Sequence, residues 1–306
     1  MPLMPKGRVR SAAATGIDGK IYLFCDSSAA QVTTVDAFDP VANTWTRLDA
    51  GLPYVTWGCA AASVGSLIYV ATGQTLGNGG VPIGGLYSFD PIAGQLTSLG
   101  LEPLPRSAAA MLGGADGRVY LLGGYAPTGA ATADVQIYEP ATNTWDAGTP
   151  LPFVSEQLAG AVDSSGFFYA LGGEFSTTGP ELSAVASYDP TTQSWDAGPL
   201  IPNLLSGLTG LGAARGSDGF VYAMGGEPDA GVASYVDAQR FQPGQDAGWV
   251  ALPNMPHPRY VVSVAADQSG GRNYVFGGIE VSDGGPTPTA KLDAWDVDAG
   301  KWIPSP

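Results

Sequence analysis

The apolar residues of this chain come in short runs, and turn formers fill the gaps between them. A run of small residues such as Ser107-Ala108-Ala109-Ala110-Met111 leads to an Asp-Gly pair, as at Asp18-Gly19, Asp116-Gly117 and Asp218-Gly219. Asp-Gly between apolar runs is a strong hairpin signal, because the tight turn needs residues that tolerate positive φ. A second run carries a tyrosine and closes on a Gly pair. A variable loop leads to a third run, Val135-Gln136-Ile137-Tyr138-Glu139 in the clearest copy. A Pro-containing turn joins it to a fourth, which carries a tryptophan. Each unit therefore predicts four antiparallel strands, a to d.

The unit recurs in phase along the chain. Four copies run from the tyrosine to the Gly pair: Tyr120 to Gly124, Tyr169 to Gly173, Tyr222 to Gly226 and Tyr274 to Gly278. Tyr69 to Gly73 is a weakened fifth, and Tyr22 to Asp26 a sixth that has lost both glycines. The tyrosines are spaced by 47, 51, 49, 53 and 52 residues. An acidic residue, usually Pro, a polar turn and Trp run in phase at Asp39 to Trp45, Glu139 to Trp145 and Asp189 to Trp195. Weaker copies are Asp90 to Leu96, Gln242 to Trp249 and Asp296 to Trp302. A third marker opens each unit: Met4-Pro5, Leu52-Pro53, Leu104-Pro105, Leu151-Pro152, Ile201-Pro202 and Met255-Pro256.

The residue types suit strands packed around an axis. A strand lining a crowded axis must be thin, hence the Ala, Ser and Gly of strand a. The Gly pair lets the backbone turn and neighbouring strands approach. Tyr and Trp fill the wedges between sheets. No single sheet can hide both faces, so radial stacking buries a continuous core. The 306 residues, 44% of them hydrophobic, are expected to form one domain, 1–306, with units near 4–50, 51–100, 101–149, 150–199, 200–253 and 254–306.

These markers resemble the kelch family, from Met4 to Trp302. The resemblance implies an all-β, six-bladed kelch-type propeller with four antiparallel strands per blade. Its first and last units hold all four strands in order, so ring closure is expected without strand exchange. In this family the loop leading into strand a and the stretch after the Gly pair meet at one end of the central channel.

The residue three past the opening proline is Arg8, Thr56, Arg106 (counting from Pro103), Ser155, Leu205 and Arg259. The three arginines resemble the family's frequent arginine there. They could form a cationic collar for a carboxylate or phosphate, or hydrogen-bond blade-end carbonyls. Past strand b stand Asp26 and Ser27, Gln74, Tyr125, Glu174, Glu227, and Ile279 with Glu280. Glu174 and Glu227 could act as acid and base with Arg106, or could pair with arginines or face solvent. Arg10, Tyr54, Trp57, Ser107, Gln157, Ser206 and Tyr260 belong to the same end, and Trp57 and Tyr260 could stack on a ligand or simply pack. Cys25-Asp26 stands where blade one lost its glycines, so backbone that avoids positive φ is expected there. It is either a degenerate end repeat or a thiol activated by Arg8 or Arg10.

Charge and composition narrow the function classes. A net charge of −15 argues against nucleic acid and against an anionic membrane surface. Two cysteines, Cys25 and Cys59, make no CxxC pair and no disulfide framework. One histidine, His257, cannot supply the paired His and Tyr ligands of copper radical oxidases with kelch propellers, and it is expected to be exposed. The Glu/Asp/His iron motif of the kelch specifier proteins is not found. The Asp-Ala-Gly triplets at Asp146, Asp196, Asp246 and Asp298 read as turns, and Gly77 to Gly80 lies outside any strand-to-helix context for phosphate. No metal or other cofactor is expected. No apolar run reaches the ~18 residues of a membrane span, and the N-terminus lacks a signal peptide's apolar core. The expectation is a cytoplasmic monomer, or a secreted or periplasmic one if a leader is removed. It would bind a peptide or small polar, anionic ligand at the channel mouth. The alternative is a cofactor-free isomerase, mutarotase or cyclase, with the six-bladed kelch sialic acid mutarotases as architectural precedent.

Overall fold

In the computed structural model, the described residues are 1–26, 33–75, 80–176, 179–196, 204–228, 237–245, 247–267, 271–282 and 285–306. Ser27, Gly77, Asn78, Gly79, Ile201, Pro202 and Asp246 lie outside them. Among the described residues there is no helix, and six four-stranded antiparallel sheets succeed one another in chain order. They form a six-bladed β-propeller. Blade three shows the plan, with strands Ala110–Gly113, Val119–Leu122, Val135–Glu139 and Thr144–Ala147. Strand a pairs with b from Ala110↔Leu122 to Gly113↔Val119, and Tyr138 of strand c faces Trp145 of strand d.

The phased markers are linked by side-chain chemistry. The strand-b tyrosine donates to the hairpin aspartate of its own blade: Tyr22 to Asp18 (2.9 Å), Tyr120 to Asp116 (2.7 Å), Tyr169 to Asp163 (3.2 Å) and Tyr222 to Asp218 (2.7 Å). The buried ring thus keeps its hydroxyl satisfied at the rim. The acidic residue before the c–d turn accepts from the turn's amides, as Asp39 Oδ1 does from Val41 and Ala42 (2.9 and 2.8 Å). The strand-d tryptophan lies against the aromatic of strand c, with Tyr188 and Trp195 ring centres 4.9 Å apart.

Core clusters sit between neighbouring blades. One joins Tyr22, Phe24 and Val35 of blade one to Ile68, Val70 and Phe89 of blade two. Another joins Met4, Ile21, Leu23 and Phe38 to Tyr274, Phe276 and Leu292, so the last blade packs on the first. Hydrogen bonds cross the same seam, Ser11 to Ser263 (2.7 Å) and Thr15 Oγ1 to the Ala266 carbonyl (2.8 Å). No strand is exchanged, since the first blade's sheet spans 12–51 and the last blade's 263–303.

Three expectations need correction here. Cys25 and Cys59 form a disulfide that ties the end of strand b in blade one to the start of blade two. Cys25 also has φ of 62°, so it keeps the left-handed backbone of the first glycine it replaces. The reason lies in blade packing. At Gly123, Gly172, Gly225 and Gly277 an added β-carbon would come within 2.4–2.9 Å of the next blade's backbone carbonyl. Where four blades omit the side chain to let the next blade approach, blade one supplies a sulfur and bonds to it. Finally, His257 is half-buried, with Nδ1 3.1 Å from both carboxylate oxygens of Asp293.

Candidate functional site at the channel mouth

Backbone carbonyls and amides organise the mouth. Just before strand a, each blade holds one residue in the left-handed region: Arg10, Gly58, Ala108, Gln157, Gly210 and Val261. Their main chains bond in a circle. Gly58 donates to Arg10, Ala108 to Gly58, Gln157 to Ala108 and Gly210 to Gln157, at 2.7–3.1 Å. Val262 donates to Gly210 (3.3 Å), and Arg10 closes the ring on Val261 (3.4 Å). These residues and the small side chains of strand a line the channel, a cavity of about 150 Å³.

In five of the blades the residue before the left-handed position pairs with the one past strand b. The pairs are Trp57↔Gln74, Ser107↔Tyr125, Glu156↔Glu174, Thr209↔Glu227 and Tyr260↔Ile279. Both predicted segments therefore meet at the mouth, as short antiparallel ladders.

One residue earlier, the side chains turn the other way. Arg8, Arg106 and Arg259 are buried and form no collar. Arg8 donates to the carbonyls of Cys25 and Thr34 (both 2.9 Å) and to Asp36 (2.7 Å). Arg106 donates to Gly123 (2.9 Å) and Asp134 (2.7 Å) carbonyls. Arg259 donates to Gly277 and Val275 carbonyls (both 2.8 Å) and to Asp293 (2.6 Å). Each pins the end of strand b to its own blade, and Ser155 does the same through Gly172 (2.8 Å). Asp36 shows the consequence: burial would raise its carboxyl, but Arg47 and Arg8 hold it below the ordinary range. Arg106 is thereby removed from the candidate acid–base groups. Asp26 is also structural, accepting from the Val9 amide (3.2 Å) and donating its own amide to Thr56 (3.0 Å).

The same backbone pattern corrects the alignment of blade five. The amide past the first glycine position donates to the next blade's Thr56, Ser155, Leu208, Arg259 or Arg8. Leu208, not Leu205, is the equivalent of Arg8. Counting from Pro202 misplaced it, and with it Thr209.

What remains at the mouth is a compact set. Arg10 stacks over Trp57, with Cζ 4.5 Å from the ring centre, and among the described residues its side chain makes no hydrogen bond or ion pair. Burial lowers its pKa, and Glu174 and Glu156 partly restore it through space. Arg10, Trp57, Gln74, Ser107, Tyr125, Glu156 and Gln157 line an off-axis recess of about 270 Å³. Glu174 accepts from the Gln157 amide, Tyr260 is half-buried, and Glu227 is exposed.

Glu156 was missed by sequence reasoning. It is 4% exposed, and burial together with Glu174 pushes its carboxyl up to about 7, against the pull of Arg10. Its Oε1, Gln74 Oε1 and Ser107 Oγ are buried without a hydrogen-bond partner. Buried polar atoms are normally paired, and these three unpaired ones share one recess. Among the described residues no cluster of three His, Cys, Asp or Glu could hold a metal ion.

The kelch motif family matches residues 113–152. Kelch-like protein 34 of Homo sapiens is 24% identical over 285 residues, covering 88% of this chain and 42% of that protein. Kelch-like protein 24 of Rattus norvegicus is 31% identical over 120 residues, 39% of this chain and 18% of that protein. The chain thus spans less than half the length of the curated relatives it matches. Among solved structures, that of YjhT superposes with a TM-score of 0.82 over 100% of this chain and 99% of that one, at 15% identity. That likeness is one of fold.

Proposed function

We propose that this six-bladed β-propeller, which matches the kelch motif over residues 113–152, binds a small polar ligand in the recess of its channel mouth. The observation that carries the reading is the set of unmatched groups there: the Arg10 guanidinium, Gln74 Oε1, Ser107 Oγ and Glu156 Oε1. The three oxygens are buried without a partner, and the guanidinium meets only the Trp57 ring, so a ligand atom within hydrogen-bond reach would satisfy groups the chain leaves unpaired. The anionic character expected of the ligand now rests on Arg10 alone, since the other three arginines spend their donors on carbonyls. Arg10 and Trp57 line the recess together with Glu156 and Gln157, and Glu174 accepts from Gln157.

A second reading is favoured by Glu156. A carboxyl that titrates near neutrality beside a second one, facing a cation, suits general acid–base catalysis. Glu156 and Glu174 would then exchange protons with a substrate held by Arg10, as in an isomerase, mutarotase or cyclase. The Cys25–Cys59 bond supports a working place in oxidising surroundings, where such bonds persist, over the cytoplasm.

Thermal-shift screening against sugars, carboxylates and amino acids tests the binding reading. A hit should vanish in both Arg10→Gln and Gln74→Ala; a hit that survives both lies elsewhere. For the catalytic reading, any turnover found should be lost in Glu156→Gln, and unchanged turnover would remove Glu156 from the chemistry.

A further inference from the structure

We infer that the ligand of this mouth is a small zwitterion, its carboxylate on Arg10 and its ammonium between Glu156 and Glu174. The inference rests on the binding reading above and names the ligand's class.

Glu174 and Glu156 act on Arg10 through space, yet no carboxylate oxygen among the described residues lies within 4.0 Å of its guanidinium. The two signs face each other across a gap. A neutral ligand closing that gap would pair neither sign, which is the costly way to bury charge. A zwitterion supplies a carboxylate for the planar fork of Arg10 and a cation for the acidic wall.

Gln74 Oε1 and Glu156 Oε1 are buried acceptors without donors, and Ser107 Oγ can also accept. Arg10 offers only donors. The ligand must therefore bring several donors to one place and acceptors to another. An ammonium concentrates three donors on one atom.

Glu156 and Glu174 exchange both backbone hydrogen bonds, at 3.0 and 2.9 Å. Directly opposed residues of an antiparallel pair project side chains to one face, with β-carbons about 5 Å apart. Two carboxyls so placed can flank one ammonium. Gln157 already donates to Glu174, which fixes that wall before the ligand arrives.

The test is isothermal titration of the full chain with glycine, β-alanine, γ-aminobutyrate and ε-aminocaproate, each beside its N-acetyl and methyl-ester forms. Glucose and acetate serve as neutral and anionic references. At least one zwitterion should bind roughly tenfold or more tighter than either of its blocked forms. Arg10→Gln should bring it to the level of its ester, and Glu156→Gln to the level of its N-acetyl form. The comparison of blocked and free forms uses the unaltered protein, so it stands even if a variant fails to fold. Blocked forms that bind as tightly as the free zwitterion overturn the inference. Glucose or acetate binding, lost in Arg10→Gln while no zwitterion binds, overturns it and leaves the binding reading intact. If no probe binds, both fall.

Discussion

Replacing Glu102 with glutamine is expected to stabilise the protein, by an amount that grows with pH. The lead-in segments of the other five blades place Met4, Leu52, Leu151, Leu204 or Met255 in the wedge between sheets, each 3–4% exposed. Glu102 holds the sixth such place at 3%. Its amide donates to the Gly84 carbonyl (2.7 Å), as Leu52 does to Thr33 (3.0 Å) and Leu151 to Ala133 (2.8 Å). Both carboxyl oxygens are buried without a hydrogen-bond partner. Burial pushes this carboxyl from 4.5 to about 8, with Arg106 pulling against the shift. The folded state therefore keeps the proton that the unfolded chain releases. Stability from this group is intact below the unfolded value and is lost as pH rises to about 8. At 1.36 kcal/mol per tenfold change in proton affinity, the loss is about 3 kcal/mol at pH 7 and about 5 kcal/mol above pH 8. Glutamine keeps the shape and cannot ionise. Urea denaturation should find the two proteins within about 1 kcal/mol of each other near pH 4.5 and diverging by the stated amounts. A difference that does not vary with pH would refute the reasoning. So would a less stable glutamine variant at neutral pH, because Glu102 and Arg106 would then be a net favourable ion pair.

Removing the disulfide by Cys25→Ser with Cys59→Ser should cost about 4 kcal/mol, given the 34-residue separation it closes, and urea denaturation with and without reductant measures it. Ala108 sits at φ of 52° where two other blades have glycine, so Ala108→Gly should raise stability by about 1 kcal/mol; a loss would mean that the left-handed backbone is not strained. The two kinds of arginine should separate cleanly. Arg8→Met leaves the buried Cys25 and Thr34 carbonyls unpaired and should cost about 3 kcal/mol of stability, whereas Arg10→Gln should change the melting temperature little and abolish ligand-induced shifts.

The blades were legible because their signals are local. Asp-Gly, the tyrosine, the Gly pair and the Asp-Pro turn each act within one hairpin, and Tyr120 meets Asp116 four residues away. The mouth was legible only as a neighbourhood. Arg8 and Arg10 are two residues apart and of one type, yet Arg8 is fixed to carbonyls while Arg10 faces the recess. What separates them is the direction of the side chain, and that depends on the carbonyls waiting at Cys25 and Thr34. Counting from prolines hid Glu156 and Thr209, whereas counting from the start of strand a puts Trp57, Ser107, Glu156, Thr209 and Tyr260 in one column. The cysteine pair was hidden for a related reason, since its partners touch only across a blade seam.

The repeat itself supplies a rule for reading such a site. Backbone geometry is the same at all six left-handed positions, yet their side chains range from Gly58 and Gly210 to Ala108, Val261, Gln157 and Arg10. Glycine would serve every one of them at least strain. A residue with a large polar side chain at such a place works against local preference, so its retention must be justified by what the side chain meets. Arg10 meets Trp57 and an open recess, and Gln157 meets Glu174 beside it. Both deviations line the same cavity, whereas Val261 spends its strain on packing, at 6% exposed. Departures from the repeat that pack inward, as at Val261, serve packing, whereas those at Arg10 and Gln157 line the recess.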